Sequence, residues 1–258
     1  MNIGFFDSGV GGATIFKEAV KDIKANFYYL GDNKNAPYGI KSIEDVKKIS
    51  LDAAEILIKK GCKIVVVACN TATSVAIKEM RDIYKDVIFI GTEPAIKLAR
   101  DASNKKKVLV AATSVTIKGE KLLNLMDRLD MSNYIDTLAL DKLVEFAEDG
   151  NYRSIKVERY LKEKLSKYNI EEYSHIVLGC THFPLFKETF KSLIPNTVTL
   201  LDSSKGVVKN LKNNINLIDE NEYIEESTIK LLISKQDENF VKNFKRIIEN
   251  NNINVEVI

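Results

Sequence analysis

Two stretches, Ile64–Thr71 (IVVVACNT) and Ile176–His182 (IVLGCTH), limit what this chain can fold into. Each is a β-branched apolar run that stops at a cysteine followed by small polar residues. Such a run marks a strand buried on both faces of a parallel sheet, and in such sheets ligands meet the carboxyl ends of the strands. Two thiols delivered in the same way from distant parts of one chain predict paired chemistry at a shared cleft.

The chain opens with a strand at Ile3–Phe6, closed by Asp7-Ser8-Gly9-Val10-Gly11-Gly12, and a helix carrying Ile15, Phe16, Ala19, Val20 and Ile23 on one face. A dinucleotide fingerprint requires glycine at position 14, where Thr14 stands, so the Rossmann reading is weak. Glycines at a helix start still let backbone N–H groups approach an anion, and a carboxylate serves as well as a phosphate. Asp7 has two readings, a ligand contact at the strand end or, with Ser8, a cap for the helix.

A strand at Phe27–Leu30 leads into the loop Asn33–Gly39, punctuated by Pro37 and Gly39, with Tyr38 as pocket wall or packing. Ser42 and Asp45 resemble a capping box for a helix with Ile43, Val46, Ile49, Ala53, Ile56 and Leu57 inward, stopped at Gly61. After the first cysteine strand come a helix from about Ser74 to Tyr84 and a strand at Val87–Ile90. Asn104–Lys107 is the candidate boundary, and the pattern restarts with a strand at Val108–Ala112 and a helix carrying Leu122, Leu123, Leu125 and Met126.

A strand at Ile135–Leu140, a short helix Lys142–Glu148 ending at Gly150, and a longer one over Tyr152–Tyr168 precede the second cysteine strand. A helix entered through Pro184, a strand at Thr197–Leu201, a helix at Lys205–Ile215 and a polar connection at Glu220–Ser227 follow. The tail reads strand–helix–strand: Ile229–Ile233, Glu238–Ile248 and Val255–Ile258. Strict alternation of this kind means an α/β fold, here two similar domains of mostly parallel sheet flanked by helices, with a cleft between them.

At 258 residues there is length for one large or two modest domains, and 45% hydrophobic residues supply their cores. The 38 basic and 36 acidic residues are interspersed, runs such as Lys105–Lys107 read as solvated loop faces, and no nucleic-acid partner is expected. Three cysteines make no disulfide framework and point to free thiols in a reducing compartment. The N-terminus does not read as a signal peptide and no apolar run reaches the roughly 18 residues of a bilayer span, so the expectation is a cytoplasmic protein without a membrane partner.

Cys62, at a strand start without polar neighbours, reads as packing. Cys69 and Cys180 sit where strands leave the core, followed by hydrogen-bond donors (Asn70 and Thr71; Thr181 and His182), and a thiol at a helix start has its thiolate favoured. Three uses are open. Cys180, His182 and Cys69 could ligate a metal, although the C-x-H spacing lacks a second close pair. One cysteine could be a nucleophile with His182 as base. Or one thiolate removes a proton from a carbon while the opposite thiol returns one on the other face, inverting a stereocentre.

Together with their neighbours these residues resemble the glutamate racemases of the cofactor-independent aspartate/glutamate racemase superfamily. The likeness is carried by FDSGVGG at 6–12, GDNKNAPYG at 31–39, ACNTAT at 68–73, EPAIK at 93–97, AATSVT at 111–116 and LGCTHFPL at 178–185. The resemblance implies Cys69 and Cys180 as the catalytic acid/bases, Asp7 assisting the first, His182 the second, and Glu148 as a further acidic helper. It implies glutamate contacts at Asp7, Ser8, Tyr38, Gly39, Asn70, Thr71, Thr113, Thr116, Thr181 and His182. It also implies no cofactor, no pyridoxal phosphate and no metal, a homodimer, and D-glutamate made for peptidoglycan. The first domain would pair residues 1–97 with 207–258 around a second at 98–206. Two residues depart from the family pattern, Thr92 where an aliphatic is usual and Lys121 where a tyrosine is common.

Overall fold

The computed structural model describes residues 1–103, 106–216 and 225–258. The expected boundary at 104–107 and the polar connection at 220–227 lie partly outside the described residues. The strands are β1 (Asn2–Asp7), β2 (Asn26–Gly31), β3 (Ile64–Val67), β4 (Ile88–Gly91), β5 (Lys107–Ala112), β6 (Ile135–Ala139), β7 (Tyr173–Leu178), β8 (Thr199–Leu201), β9 (Thr228–Ile233) and β10 (Asn254–Val257). The helices are α1 (Ala13–Asp22), α2 (Ile43–Lys59), α3 (Asn70–Ile83), α4 (Ile96–Ala102), α5 (Ser114–Lys118), α6 (Glu120–Arg128), α7 (Lys142–Glu148), α8 (Ile155–Leu165), α9 (Lys187–Leu193), α10 (Ser204–Ile215) and α11 (Glu238–Ile248).

The strands form two sheets, in the orders β10-β9-β2-β1-β3-β4 and β6-β5-β7-β8, with every pairing parallel. The second order repeats β2-β1-β3-β4 of the first, strand for strand, so the two halves share a topology as well as a sequence pattern. In each, the chain reverses its direction of winding between the two central strands, β1 and β3 or β5 and β7. That reversal opens the crevice in which α/β sheets bind ligands.

Helices cover both faces of each sheet, which is why the central strands read as unbroken apolar runs. Ile3, Phe5, Phe27 and Tyr29 face α1, α10 and α11, while Phe6, Val65 and Val67 face α2 and α3. In the second sheet Leu109, Ile176 and Leu178 face α7, α8 and α9, and Val108, Val110 and Val177 face α4 and α6. The tail returns to the first sheet: β9 pairs with β2 from Asn26↔Thr228 to Gly31↔Ile233. Phe244 of α11 secures it, with ring centroids 4.6 Å from Tyr29 and 5.8 Å from Phe16. Truncating such a buried phenylalanine costs about 3–5 kcal/mol.

Most elements fall where the periodicity puts them, and the differences have local causes. The helix after Cys69 starts at Asn70 rather than near Ser74, because Cys69 itself caps it. The Tyr152–Tyr168 helix narrows to α8, capped by Ser154, whose hydroxyl accepts the Val157 N–H at 3.4 Å. Pro184 opens a 3₁₀ turn, Phe183–Phe186, that runs into α9. Ile43, expected inward, is 52% exposed; it is the first residue of α2, beyond the reach of the core. The Ser42 cap and the Gly61 stop of α2 (φ +78°) are as the sequence predicts. Among the described residues no helix is long and apolar enough to cross a membrane.

Candidate active site

β1 and β3 lie side by side in register from Ile3↔Ile64 to Phe6↔Val67, so their carboxyl ends bring Asp7 and Cys69 to one place. Cys69 is the N-cap of α3. Its sulfur accepts the Ala72 N–H at 3.4 Å, and its thiol donates to Ser8 Oγ at 3.5 Å. The side chain is 4% exposed. Burial, reinforced by the charge of Asp7, pushes the thiol up to about 12, so Cys69 rests as a neutral thiol.

Asp7 is fully buried and does not cap α1, whose N-cap is Gly12 with no side-chain cap. Its Oδ1 accepts the Gly9 N–H and its Oδ2 accepts the Thr181 hydroxyl, both at 3.0 Å. Burial raises the carboxyl to about 6, against the opposing pull of His182.

β5 and β7 do the same in the second sheet, paired from Val108↔His175 to Ala111↔Leu178. Cys180, 7% exposed, lies beyond the end of β7 with its Sγ 3.6 Å from His182 Nδ1. His182 Nε2 lies 2.5 Å from Glu148 Oε1, and that oxygen also accepts the Val10 N–H at 2.8 Å. Burial works against a charged imidazole here. The contacts with Cys180 and Glu148 outweigh it and hold His182 well above its usual value, as an imidazolium at neutral pH.

The glycine turn after β1 therefore does bind carboxylates, and they are the protein's own, Asp7 through Gly9 and Glu148 through Val10. Its glycines are there for close approach. A Cβ at Gly11 would stand 2.5 Å from His182 Nδ1 and 2.6 Å from Thr181 Oγ1, and one at Gly9 would overlap Glu148 Oε1. Thr14, the residue that spoils a dinucleotide fingerprint, donates to Gly11 O and Thr181 O at 2.9 and 3.2 Å, tying the start of α1 to the second half.

The expected substrate-contact hydroxyls also meet across the sheets. Thr71 Oγ1 is 3.1 Å from Thr113 Oγ1, which is 3.0 Å from Thr116 Oγ1. Thr113 caps α5, its hydroxyl accepting the Thr116 N–H at 3.4 Å, as Cys69 caps α3. Gly39 abuts Thr113, where an added Cβ would sit 3.1 Å from the threonine Cβ. Asn70 Nδ2 donates to Thr92 O at 3.4 Å. The Tyr38 hydroxyl is committed to Asp32 Oδ2 at 2.6 Å, and Asn35 holds the same carboxylate.

Asp32 is not singled out as a site residue by the sequence, although it directly follows Gly31, the residue that pairs with Asp7 across β1 and β2. Tyr29, whose hydroxyl donates to Gly9 O at 2.8 Å, was hidden among core aromatics. The two departures from the family pattern lie together behind Asn70: Thr92 Oγ1 is buried without a hydrogen-bond partner, and Lys121 pairs with Glu93 at 3.3 Å. A cavity of about 730 Å³ opens away from the thiols, lined by residues such as Thr14, Tyr152, Pro184 and Arg246. Among the described residues no three or more His, Cys, Asp and Glu are placed to hold a metal ion.

A doubly wound pair of parallel sheets, each with a buried thiol beyond the end of a central strand, Asp7 near one and His182 near the other, defines the α/β class of the chain. The chain belongs to the Asp/Glu/Hydantoin racemase family, whose profile matches residues 15–211. It is 46% identical over 214 residues to a glutamate racemase from Halothermothrix orenii, covering 83% of this chain and 84% of that one. Its fold is similar to the crystal structure of glutamate racemase isoform RacE1 from Bacillus anthracis, with a TM-score of 0.90, 26% identity, and coverage of 99% and 96%. It is similar also to the Francisella tularensis glutamate racemase crystallised with D-glutamate, with a TM-score of 0.86, 26% identity, and coverage of 100% and 97%.

Proposed function

We propose that this chain interconverts L- and D-glutamate by moving the Cα proton between Cys69 and Cys180, supplying D-glutamate for peptidoglycan. The observation that carries this reading is the matched placement of the two thiols, one at each sheet's crevice, each with its own helper. Cys69, held as a neutral thiol with Asp7 beside it, begins as the acid. The sulfur beside the His182 imidazolium begins as the base. The base takes the Cα proton on one face and the thiol gives its own on the other, so the stereocentre inverts and the protein ends with the two roles exchanged.

A Cα proton is weakly acidic, and fixed donors in a dry site must stabilise the carbanion-like transition state. Asn70, Thr71, Thr113, Thr116, Thr181 and backbone N–H groups are the donors for the two substrate carboxylates, with Ser8, Tyr38 and Gly39 forming the wall. Both thiols are nearly enclosed and Thr71 and Thr113 bond across the sheets, so the two halves part to admit substrate and close to exclude water.

The two halves correspond to a domain of residues 1–97 with 207–258 and a domain of residues 98–206. Support comes from the β9–β2 pairing and from α4 packing with the second sheet. The reading carries with it a cytoplasmic location and a homodimer, the latter open to sedimentation of the purified chain. The decisive assay follows optical rotation of L-glutamate with metal-free protein. Racemisation of glutamate is expected. Rotation change with aspartate alone would transfer the reading to that substrate, and loss of fold on removing a bound metal would replace it with a metal-binding one.

A further inference from the structure

Glu148 is the last residue of α7, where helix carbonyls lack intrahelical partners, and its carboxylate must still meet His182 from the other side of the crevice. The Val10 N–H holds its carboxylate, and what holds its backbone comes from the tail. Asn243 of α11, 4% exposed, spends every hydrogen-bonding group it has on this junction. Its Nδ2 donates to Ala147 O at 2.9 Å and Glu148 O at 3.4 Å. Its Oδ1 accepts the Tyr152 hydroxyl at 2.5 Å and Arg246 Nη2 at 2.8 Å. The same guanidinium donates to Gly150 O at 3.0 Å and lies 4.6 Å from the Tyr152 ring centroid. The amide is saturated, with two donors and two acceptors used.

We propose that Asn243 is a positioning residue for the reaction: it anchors the end of α7 so that Glu148 reaches His182, linking the C-terminal helix of the first sheet to the acid/base pair of the second. This rests on the racemase reading for its catalytic meaning, though not for its geometry. An apolar core residue would hold α11 against the sheet equally well. It would leave Glu148 O without this donor and Ala147 O with the Gly150 N–H alone, and a shift of about 1 Å at a catalytic group costs on the order of 100-fold in rate. The groups that bear on His182 are Glu148, Cys180, Asp7 and Tyr152, and of these only Glu148 and Tyr152 touch the Asn243 junction.

Nuclear magnetic resonance of ¹⁵N-histidine in the full chain tests this without substrate. Only His175 and His182 contribute, and His175→Gln assigns them. In Asn243→Ala the His182 midpoint is expected to fall by roughly one unit as Glu148 moves away, with kcat down about 10-fold or more and KM little changed. Tyr152→Phe, which keeps the ring and removes one bond to Asn243, is expected to give a smaller shift in the same direction. Thr189→Val, which removes the neighbouring bond to Tyr152 O, is expected to give none. A His182 midpoint in Asn243→Ala equal to the unmodified protein's overturns the proposal, whatever the loss of stability. If that variant does not fold, an unshifted midpoint in Tyr152→Phe overturns it. Absence of glutamate turnover in the unmodified protein would count against the racemase reading alone, since the titration needs no turnover.

Discussion

The Thr181 hydroxyl donates to the Asp7 carboxylate at 3.0 Å, across 174 residues and from one sheet to the other. Because Thr181 is also 3.5 Å from His182 Nδ1, Asp7 near Cys69 and His182 beside Cys180 belong to a single buried network. A proton state on one side is thereby felt on the other, as a reaction that exchanges the roles of two thiols requires.

Asp7 gives this network a signature in stability. Its folded value is about 6 against 3.8 unfolded, so the native state binds the proton more tightly. The stability it contributes is fully present below pH 3.8 and is lost as pH rises through 6, a total of about 3 kcal/mol at 1.36 kcal/mol per unit. Asp7→Asn is expected to remove this slope between pH 4 and 7 while abolishing most activity. Urea midpoints of both proteins across that range check it; parallel curves would show that Asp7 ionises freely.

Gly11→Ala places a methyl 2.5 Å from His182 Nδ1. Overpacking of this kind costs about 1–3 kcal/mol of stability, whereas displacing His182 by about 1 Å costs on the order of 100-fold in rate. A folded protein with a modestly lower melting temperature and racemisation down by that factor is expected from thermal unfolding and polarimetry. Unchanged turnover would mean that the turn yields.

The architecture was legible because buried parallel strands leave unbroken apolar runs and helices leave their own period. IVVVACNT and IVLGCTH announced both crevices and both thiols. What joins the halves was not legible. The Thr181–Asp7 bond and the Asn243 junction are contacts between residues far apart in the chain, and no local pattern records them; the return of the tail to β2 within the first sheet came from the family resemblance alone. Glu148 was named through the family resemblance alone, and its contact with His182 is what the structure adds. Asp7 could be read as a cap until the structure placed its oxygens on Gly9 and Thr181.

Cys62 contrasts with the two thiols proposed to react. It is buried against Leu57 and Gly4, with its thiol pushed up to about 12 by burial and no helper beside it. Cys62→Ala is expected to cost about 1 kcal/mol and leave the rate of racemisation as it was. Denaturant unfolding and polarimetry on one preparation check both, and a large loss of rate with stability intact would give Cys62 a role the geometry does not provide.

Opposed thiols make the sharpest demand on the chemistry. If each face of Cα has its own sulfur, a proton taken by one is not returned by it, and the incoming hydrogen comes from the other thiol, which exchanges with solvent. In D₂O, D-glutamate formed from L-glutamate is expected to carry deuterium at Cα from the first turnover, while the remaining L-glutamate stays protiated early in the reaction; proton magnetic resonance of both enantiomers reads this. Cys69→Ala and Cys180→Ala are each expected to stop racemisation in both directions, a loss of roughly 100- to 10,000-fold or more for a group that transfers the proton itself. Early deuterium in the starting enantiomer, or a racemase surviving on one thiol, would mean that a single base serves both faces.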